Sequence, residues 1–286
     1  MARQLAESGF SVFGGLRQSN KLAAGVTPLV TGDLAATSIN LAGFDAVVHA
    51  AGLGHKRGVA PAVWRSANVD AAVNLARLAK AAGTTRFVLI STAHVHGRVH
   101  PGIVSDDTPP NPMDDYAASK LEAEQAVAAV FGPGLSILRP VAVIGPHCPG
   151  NLQLVMKFLR RGLPLPFGAI ANRRSFIDVS DLARLARVVL NAPAPPPIVL
   201  AASPDAIATP ALVRALAEGM GVRAKLLNIP APVLAAAAKT LGRAAMWQSL
   251  AGSFVADPQA ATQLGWAPSN TLRESLIKTG EAFTVS

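Results

Sequence analysis

The chain has 286 residues, 50% of them apolar and 15% charged, with 26 Lys and Arg against 17 Asp and Glu and a formal charge of +9. That balance excludes an intrinsically disordered chain and supplies a sizeable core for one large domain, or a main domain with a smaller partner. A single cysteine, Cys148, excludes an internal disulfide and a cysteine-rich zinc site.

No apolar run reaches the ~18 residues of a membrane span, and the N-terminus lacks the basic-then-apolar plan of a secretion signal. A soluble cytoplasmic protein is the expectation. The positive charge admits a polyanionic partner, an acidic membrane surface or an anionic small substrate. Scattered Arg and Lys, 5% aromatic residues and the lack of a helix-turn-helix or zinc-finger pattern argue against nucleic acid.

In chain order, short apolar runs at 11–13, 28–30, 46–48, 87–90 and 135–138 read as buried strands. Amphipathic stretches at about 61–82 and 116–130 lie between the later runs and read as helices. Such alternation predicts βαβ units and a doubly wound parallel α/β sheet, with strands apolar on both faces because helices cover them. Beyond residue 145, Pro and Gly become frequent. The run 192–197, Ala-Pro-Ala-Pro-Pro-Pro, reads as a stiff loop, and helical patterns recur near 209–219, 231–243 and 271–282. The expected division is a main α/β domain over 1–145 and a smaller substrate-facing region over 146–286 that returns in part to the main sheet.

The chemistry centres on Tyr116, the only tyrosine, and Lys120 four residues later. On a helix these positions share a face, so phenol and ammonium can serve one site. A free phenol titrates near ~10; a nearby lysine cation is expected to lower that value and make a proton acceptor for an alcohol. Upstream, the strand at 87–90 ends in Ser91 and Thr92, where hydroxyls at the C-terminal end of a parallel strand face the ligand crevice.

The order strand, Ser/Thr, Tyr-x-x-x-Lys, strand, Arg-Pro resembles the extended short-chain dehydrogenase/reductase family, the NAD-dependent epimerase/dehydratase group with a Rossmann-like fold. Further segments match in order along nearly the whole chain. Asp33 and Leu34 resemble the adenine contact, and His49, Ala50, Ala51 and Gly52 the motif after the family's fourth strand. Asn68 resembles the Asn of the following helix, and Arg139 and Pro140 the strand end beside the nicotinamide. Residues 172–178, Asn-Arg-Arg-Ser-Phe-Ile-Asp, resemble the segment whose Arg binds a sugar-nucleotide diphosphate; residues 256–266 resemble the family's Leu-Gly-Trp ending. The resemblance implies Tyr116 as acid/base, Lys120 as its tuner and ribose contact, and Thr92 as the group bonded to the reacting hydroxyl, with Ser91 beside it. It implies a cofactor site of Arg17, Asp33, Leu34, Ala50, Ala51, Gly52, Asn68, Ser91, Tyr116, Lys120 and Pro140. Thr92, His94, Asn151 and Arg174 are the implied substrate contacts, with Arg173 as a possible assistant. No metal is implied.

Family 4,6-dehydratases carry Asp-Glu directly after the Thr; here Ala93 and His94 follow. A nucleotide-sugar 4-epimerase is therefore the expectation, acting on a UDP-hexose or UDP-N-acetylhexosamine through a 4-keto intermediate. The alternatives are an NADPH-dependent nucleotide-sugar ketoreductase and a non-catalytic dinucleotide sensor. NAD is the expected cofactor; NADP stays open, because Arg17 ends the second strand where an acidic residue would meet a ribose hydroxyl. A homodimer through the two helices carrying Asn68 and Lys120 is also expected.

Members of the group open with a strand and a Gly-x-x-Gly-x-x-Gly turn. Here Met1 falls inside what reads as the following helix, with 11–15 as the second strand; Gly14 and Gly15 lack the spacing of the turn. The first strand and phosphate-cradling loop are thus expected to be absent, leaving two neighbouring strands without a partner. Two explanations stand: a natural start further upstream, or a short protein that has lost cofactor binding. Of the remaining features, His94, His96 and His100 read as loop residues, and Cys148 has no base to activate it. The apolar stretch 226–250 reads as a helix packed on the substrate region, with a membrane-surface role as the alternative.

Overall fold

The computed structural model describes residues 1–18, 22–54 and 58–284. The first half comprises α1 (Ala2–Glu7), β1 (Val12–Leu16), β2 (Val26–Val30), β3 (Ala46–His49), α2 (Pro61–Arg65), a π-helical turn (Ser66–Asp70), α3 (Ala71–Ala81), β4 (Arg86–Ile90), a 3-10 turn (Ala93–His96), β5 (Ile103–Val104), α4 (Asp115–Phe131) and β6 (Leu135–Pro140). There follow β7 (Ala142–Ile144), α5 (Asn151–Arg160), β8 (Arg174–Asp178), α6 (Val179–Asn191), β9 (Ile198–Ala201), β10 (Ala206–Ile207) and α7 (Thr209–Gly219). The chain then forms α8 (Ala231–Thr240), α9 (Ala244–Ala251), β11 (Val255–Ala256), α10 (Gln259–Gln263) and α11 (Leu272–Thr284).

The main sheet is parallel in the order β3-β4-β6-β9. Side chains alternate between its faces. Phe87, Leu89, Leu135 and Ile137 pack with Leu75, Ala123 and Val127 of α3 and α4, while Val88, Leu138 and Val199 pack with Leu182 and Leu185 of α6 and with Trp266. Covering both faces explains the unbroken apolar runs. β1 and β2 form a separate parallel pair. Among the described residues no strand lies between β1 and β3, so the sheet is divided where the sequence predicts an absent strand. Both strands beside the gap are half-exposed, unlike β4 and β6.

A second apolar cluster joins α5, α7 and α11 to β7 and β8 around Met156, Leu159, Phe176, Leu216 and Leu276. Helices α7 and α11 touch backbone to backbone: a Cβ on Gly219 would lie 1.9 Å from the Ile277 carbonyl oxygen, and one on Gly280 2.3 Å from that of Leu216. Glycine is what permits this approach. No described helix is long and apolar enough to cross a membrane.

The helix expected over 61–82 is interrupted rather than continuous. The π-turn sits between α2 and α3 and buries Asn68 and Val69. Such a turn inserts a residue into the helical repeat and is frequent at functional sites. The stretch 226–250 also departs from the single packed helix expected. Leu226 bridges Leu165, and α8 and α9 form a pair in which α8 contains no buried residue.

Candidate active site

Helix α4 starts on Asp114, whose carboxylate accepts the Ala117 N–H at 2.8 Å and pairs with Arg98 at 2.5 Å. One face of the helix then presents Tyr116, Lys120 and Glu124 at four-residue intervals toward the ends of β4 and β6. Strand β4 delivers Ser91 and Thr92. The Thr92 hydroxyl caps the 3-10 turn by accepting the His94 N–H at 3.2 Å, and it lies near enough to the Tyr116 phenol to favour its ionised form. Trp64 and His94 flank that phenol ring, at centroid distances of 5.8 and 6.3 Å.

Lys120 is 5% exposed, and its ammonium donates to the Ile90 carbonyl at 2.7 Å. Burial pulls its pKa down to about 8 against the opposing pull of Glu124. The Tyr116 phenol is pushed up, by burial first and by Asp114 as well, while Thr92 pulls the other way. This corrects the expectation that the lysine cation lowers the phenol. Lys120 reaches past the tyrosine to the strand end, and its charge is not among the groups that shift Tyr116.

Beneath this face lies a buried network that the sequence reading missed. Glu124 receives Nε and Nη2 of Arg139, the closest contact 2.6 Å, with both side chains under 5% exposed. Ser91 Oγ donates to the same carboxylate. Arg139 Nη1 meets His96 Nε2 at 3.2 Å, while His96 Nδ1 faces the Pro109 carbonyl at 3.4 Å. Burial and Arg139 hold His96 at a pKa of about 4, a neutral ring accepting from the guanidinium. The hydroxyl of Ser91, a residue expected at the cofactor, turns inward to Glu124. The available signal was Glu124 itself, four residues beyond Lys120 on the same helix face.

Asn68 knits the β3 loop to α4. Its side chain accepts the Leu53 N–H at 2.7 Å, and its amide nitrogen reaches the Leu53 carbonyl at 3.2 Å and Ser119 Oγ at 2.9 Å. A Cβ on Gly52 would stand 2.9 Å from Asn68 Oδ1, so a side chain there requires that amide to shift. Ala50, Ala51 and Gly52 form an exposed strip directly after His49. His49 is 2% exposed; its Nε2 has no hydrogen-bond partner, and burial and Lys120 lower its pKa to about 4. At the far end Arg17 meets Asp33 at 3.4 Å, both exposed, and Asn74 fixes the loop by donating to the Leu34 carbonyl. Pro140 is buried at the end of β6, paired with Ala201.

The nicotinamide and ribose end of a dinucleotide fits these residues. There is an exposed strip at a strand end, an orphaned buried nitrogen beside it, and a phenol–hydroxyl pair with a neighbouring ammonium. The described residues contain no glycine-rich strand–helix turn for the pyrophosphate.

On the substrate side Asn151 opens α5 and lines a groove. Arg174 differs from expectation. It is 7% exposed, and its Nη atoms donate to the carbonyls of Arg98, Gln248 and Gly252 at 2.9–3.4 Å. Burial first and Arg98 second lower its pKa to about 10. It ties the loop at Arg98 to the C-terminal end of α9 instead of facing an open cleft. Its neighbour Arg173 is exposed. Cys148 is buried, and its thiol is pushed up by that burial. Among the described residues no three His, Cys, Asp or Glu side chains could hold a metal ion.

Residues 1–201 match the NAD dependent epimerase/dehydratase family. The chain is 31% identical over 250 residues to a UDP-glucose 4-epimerase of Vibrio cholerae, spanning 83% of this chain and 76% of the relative. A crystal structure of a UDP-galactose 4-epimerase, 21% identical, shares the fold with a TM-score of 0.75 over 99% of this chain and 94% of that one. MoeE5 in complex with UDP-glucuronic acid and NAD is 25% identical, with a TM-score of 0.75 over 98% and 93% of the two chains. These matches show that the chain belongs to the NAD-dependent epimerase/dehydratase family of enzymes.

Proposed function

We propose that the protein is a nucleotide-sugar 4-epimerase acting on a UDP-hexose or UDP-N-acetylhexosamine, with NAD as its retained cofactor. The observation that carries this reading is the juxtaposition of Tyr116 and Lys120 on one face of α4 with Thr92 at the end of β4, the Lys120 ammonium anchored at the Ile90 carbonyl. The similarity to a UDP-glucose 4-epimerase, and to a protein solved with NAD and a UDP-sugar, supports the substrate class and cofactor.

NAD, when bound, supplies reversible hydride exchange with a carbinol carbon. The protein's own residues handle the proton and the geometry. Thr92 accepts or donates at the sugar 4-hydroxyl, and Tyr116 Oη, entering the step as the phenolate after giving up its own proton, takes the hydroxyl proton and returns it to the same sugar oxygen after the ring has presented its other face. Lys120, held at the strand end, binds the cofactor ribose. Trp64 and His94 wall the ring of Tyr116 and restrict water. Asn68 and Gly52 shape the loop under the cofactor, and Asp33 and Leu34 lie at its adenine end. Asn151 is assigned to the substrate. Arg174 is assigned to positioning, because its Nη atoms bind the carbonyls of Arg98, Gln248 and Gly252.

The test is incubation of the purified protein with UDP-galactose and with UDP-N-acetylgalactosamine, without added cofactor. Interconversion with the gluco sugar is expected, and Tyr116→Phe should reduce it by about 10²–10⁴-fold while leaving the unfolding midpoint unchanged. Turnover only with added NADPH would favour the ketoreductase reading. An unaffected Tyr116→Phe variant would remove the mechanism.

A further inference from the structure

We propose that the face built by α8, α9 and the loop before β8 docks the protein on an anionic lipid surface. Charge segregation carries the argument. Segments 151–177 and 220–256, which contain this face, hold nine of the 26 Lys and Arg and none of the 17 Asp and Glu; of the nine, Arg174 is buried. The remaining seventeen cations are balanced by seventeen carboxylates elsewhere, so the whole formal charge of +9 resides in these two segments. A one-signed region of this size attracts an anionic membrane and repels another copy of itself.

The same face is apolar and uncovered. Helix α8 contains no buried residue, and Val233 is 58% and Leu241 72% exposed, with Leu227 and Leu163 exposed nearby. Between α5, α8 and α9 runs a groove of about 460 Å³ lined by Leu154, Phe158, Leu234, Met246 and Trp247, with Asn151 and Arg243 as its polar members. Lys239 and Arg243, both exposed, close the α8 end. Apolar side chains rimmed by exposed cations, with a tryptophan among them, suit the boundary between headgroups and acyl chains. Helices of 10 and 8 residues are too short to span a bilayer, so the geometry is that of a helix pair lying on the surface, with the exposed side of α8 toward the lipid.

The test is co-sedimentation of the full chain with phosphatidylglycerol–phosphatidylcholine vesicles and with phosphatidylcholine vesicles alone. Binding to the anionic vesicles is expected to weaken with added salt. Lys239→Glu with Arg243→Glu should weaken it at least about tenfold. Val233→Glu with Leu241→Glu should abolish it while leaving the circular dichroism and unfolding midpoint of the native chain, because both side chains are exposed. Three results would overturn the proposal: no sedimentation with anionic vesicles, equal sedimentation with both compositions, or a concentration-dependent dimer that the Val233 and Leu241 changes dissolve. Sugar conversion does not enter the measurement, so its failure and that of the epimerase reading are separately visible.

Discussion

Glu124→Gln tests the buried network under the catalytic helix. The wild-type carboxylate receives three contacts from Arg139 and one from Ser91, with both charged side chains under 5% exposed. Glutamine keeps the shape and one acceptor but leaves the guanidinium as an uncompensated buried cation. Removing one partner of such a pair costs about 3–5 kcal/mol, and the retained amide oxygen places this variant near the lower end. At roughly 2–4 °C per kcal/mol for a domain of this size, the thermal midpoint should fall by about 6–12 °C. The assay is thermal unfolding followed by circular dichroism, repeated in urea. Glu124→Leu with Arg139→Met removes both charges and should recover most of the loss, as apolar replacements of buried pairs do. A midpoint that moves by less than about 2 °C in Glu124→Gln would refute the reasoning, since it would mean that water reaches the pair and screens it.

Other expectations concern the same elements. His49 and His96 sit at pKa values of about 4 when folded against 6.5 ordinarily, so between pH 6.5 and 4 the unfolded chain binds protons that the folded one refuses. Stability should therefore be full above pH 6.5 and fall as pH drops through that window; His96→Gln should flatten the fall in urea midpoints measured across it. Asn68→Ala leaves the Leu53 backbone and Ser119 without their partner and should cost about 1–3 kcal/mol, read by urea unfolding. Arg174→Lys cannot reach three carbonyls at once and should lower the thermal midpoint and increase proteolysis between residues 240 and 255, whereas an unchanged digestion pattern would dismiss the clamp.

The α/β alternation was legible because period and turn signals are local, and the boundaries of β4 and α4 moved by only a residue or so. Spacing paired Tyr116 with Lys120 and the strand end supplied Ser91 and Thr92, while the choice of Thr92 between the two came from the family resemblance. The place of Arg139 could not be read so. A strand-end arginine reads as facing the ligand, and only the sheet order, which sets β6 beside β4 beneath α4, shows that its side chain runs inward to Glu124. Arg174 shows a related effect: its fork suits a diphosphate, but the carbonyl of Arg98 and two at the C-terminal end of α9 occupy its Nη atoms. The direction of the Tyr116 shift was missed because shared helix face was taken for electrostatic contact, while burial acts more strongly.

The division of the parallel sheet also bears on how the protein behaves in concentrated solution. Among the described residues, one side of Val12–Leu16 and one side of Ala46–His49 present unpaired peptide groups, and Phe13 on the first strand is 45% exposed. Unprotected ladders of this kind recruit extended segments from neighbouring molecules. Where no further segment pairs with them, slow self-association through those two strands is the expected outcome, read by light scattering during storage.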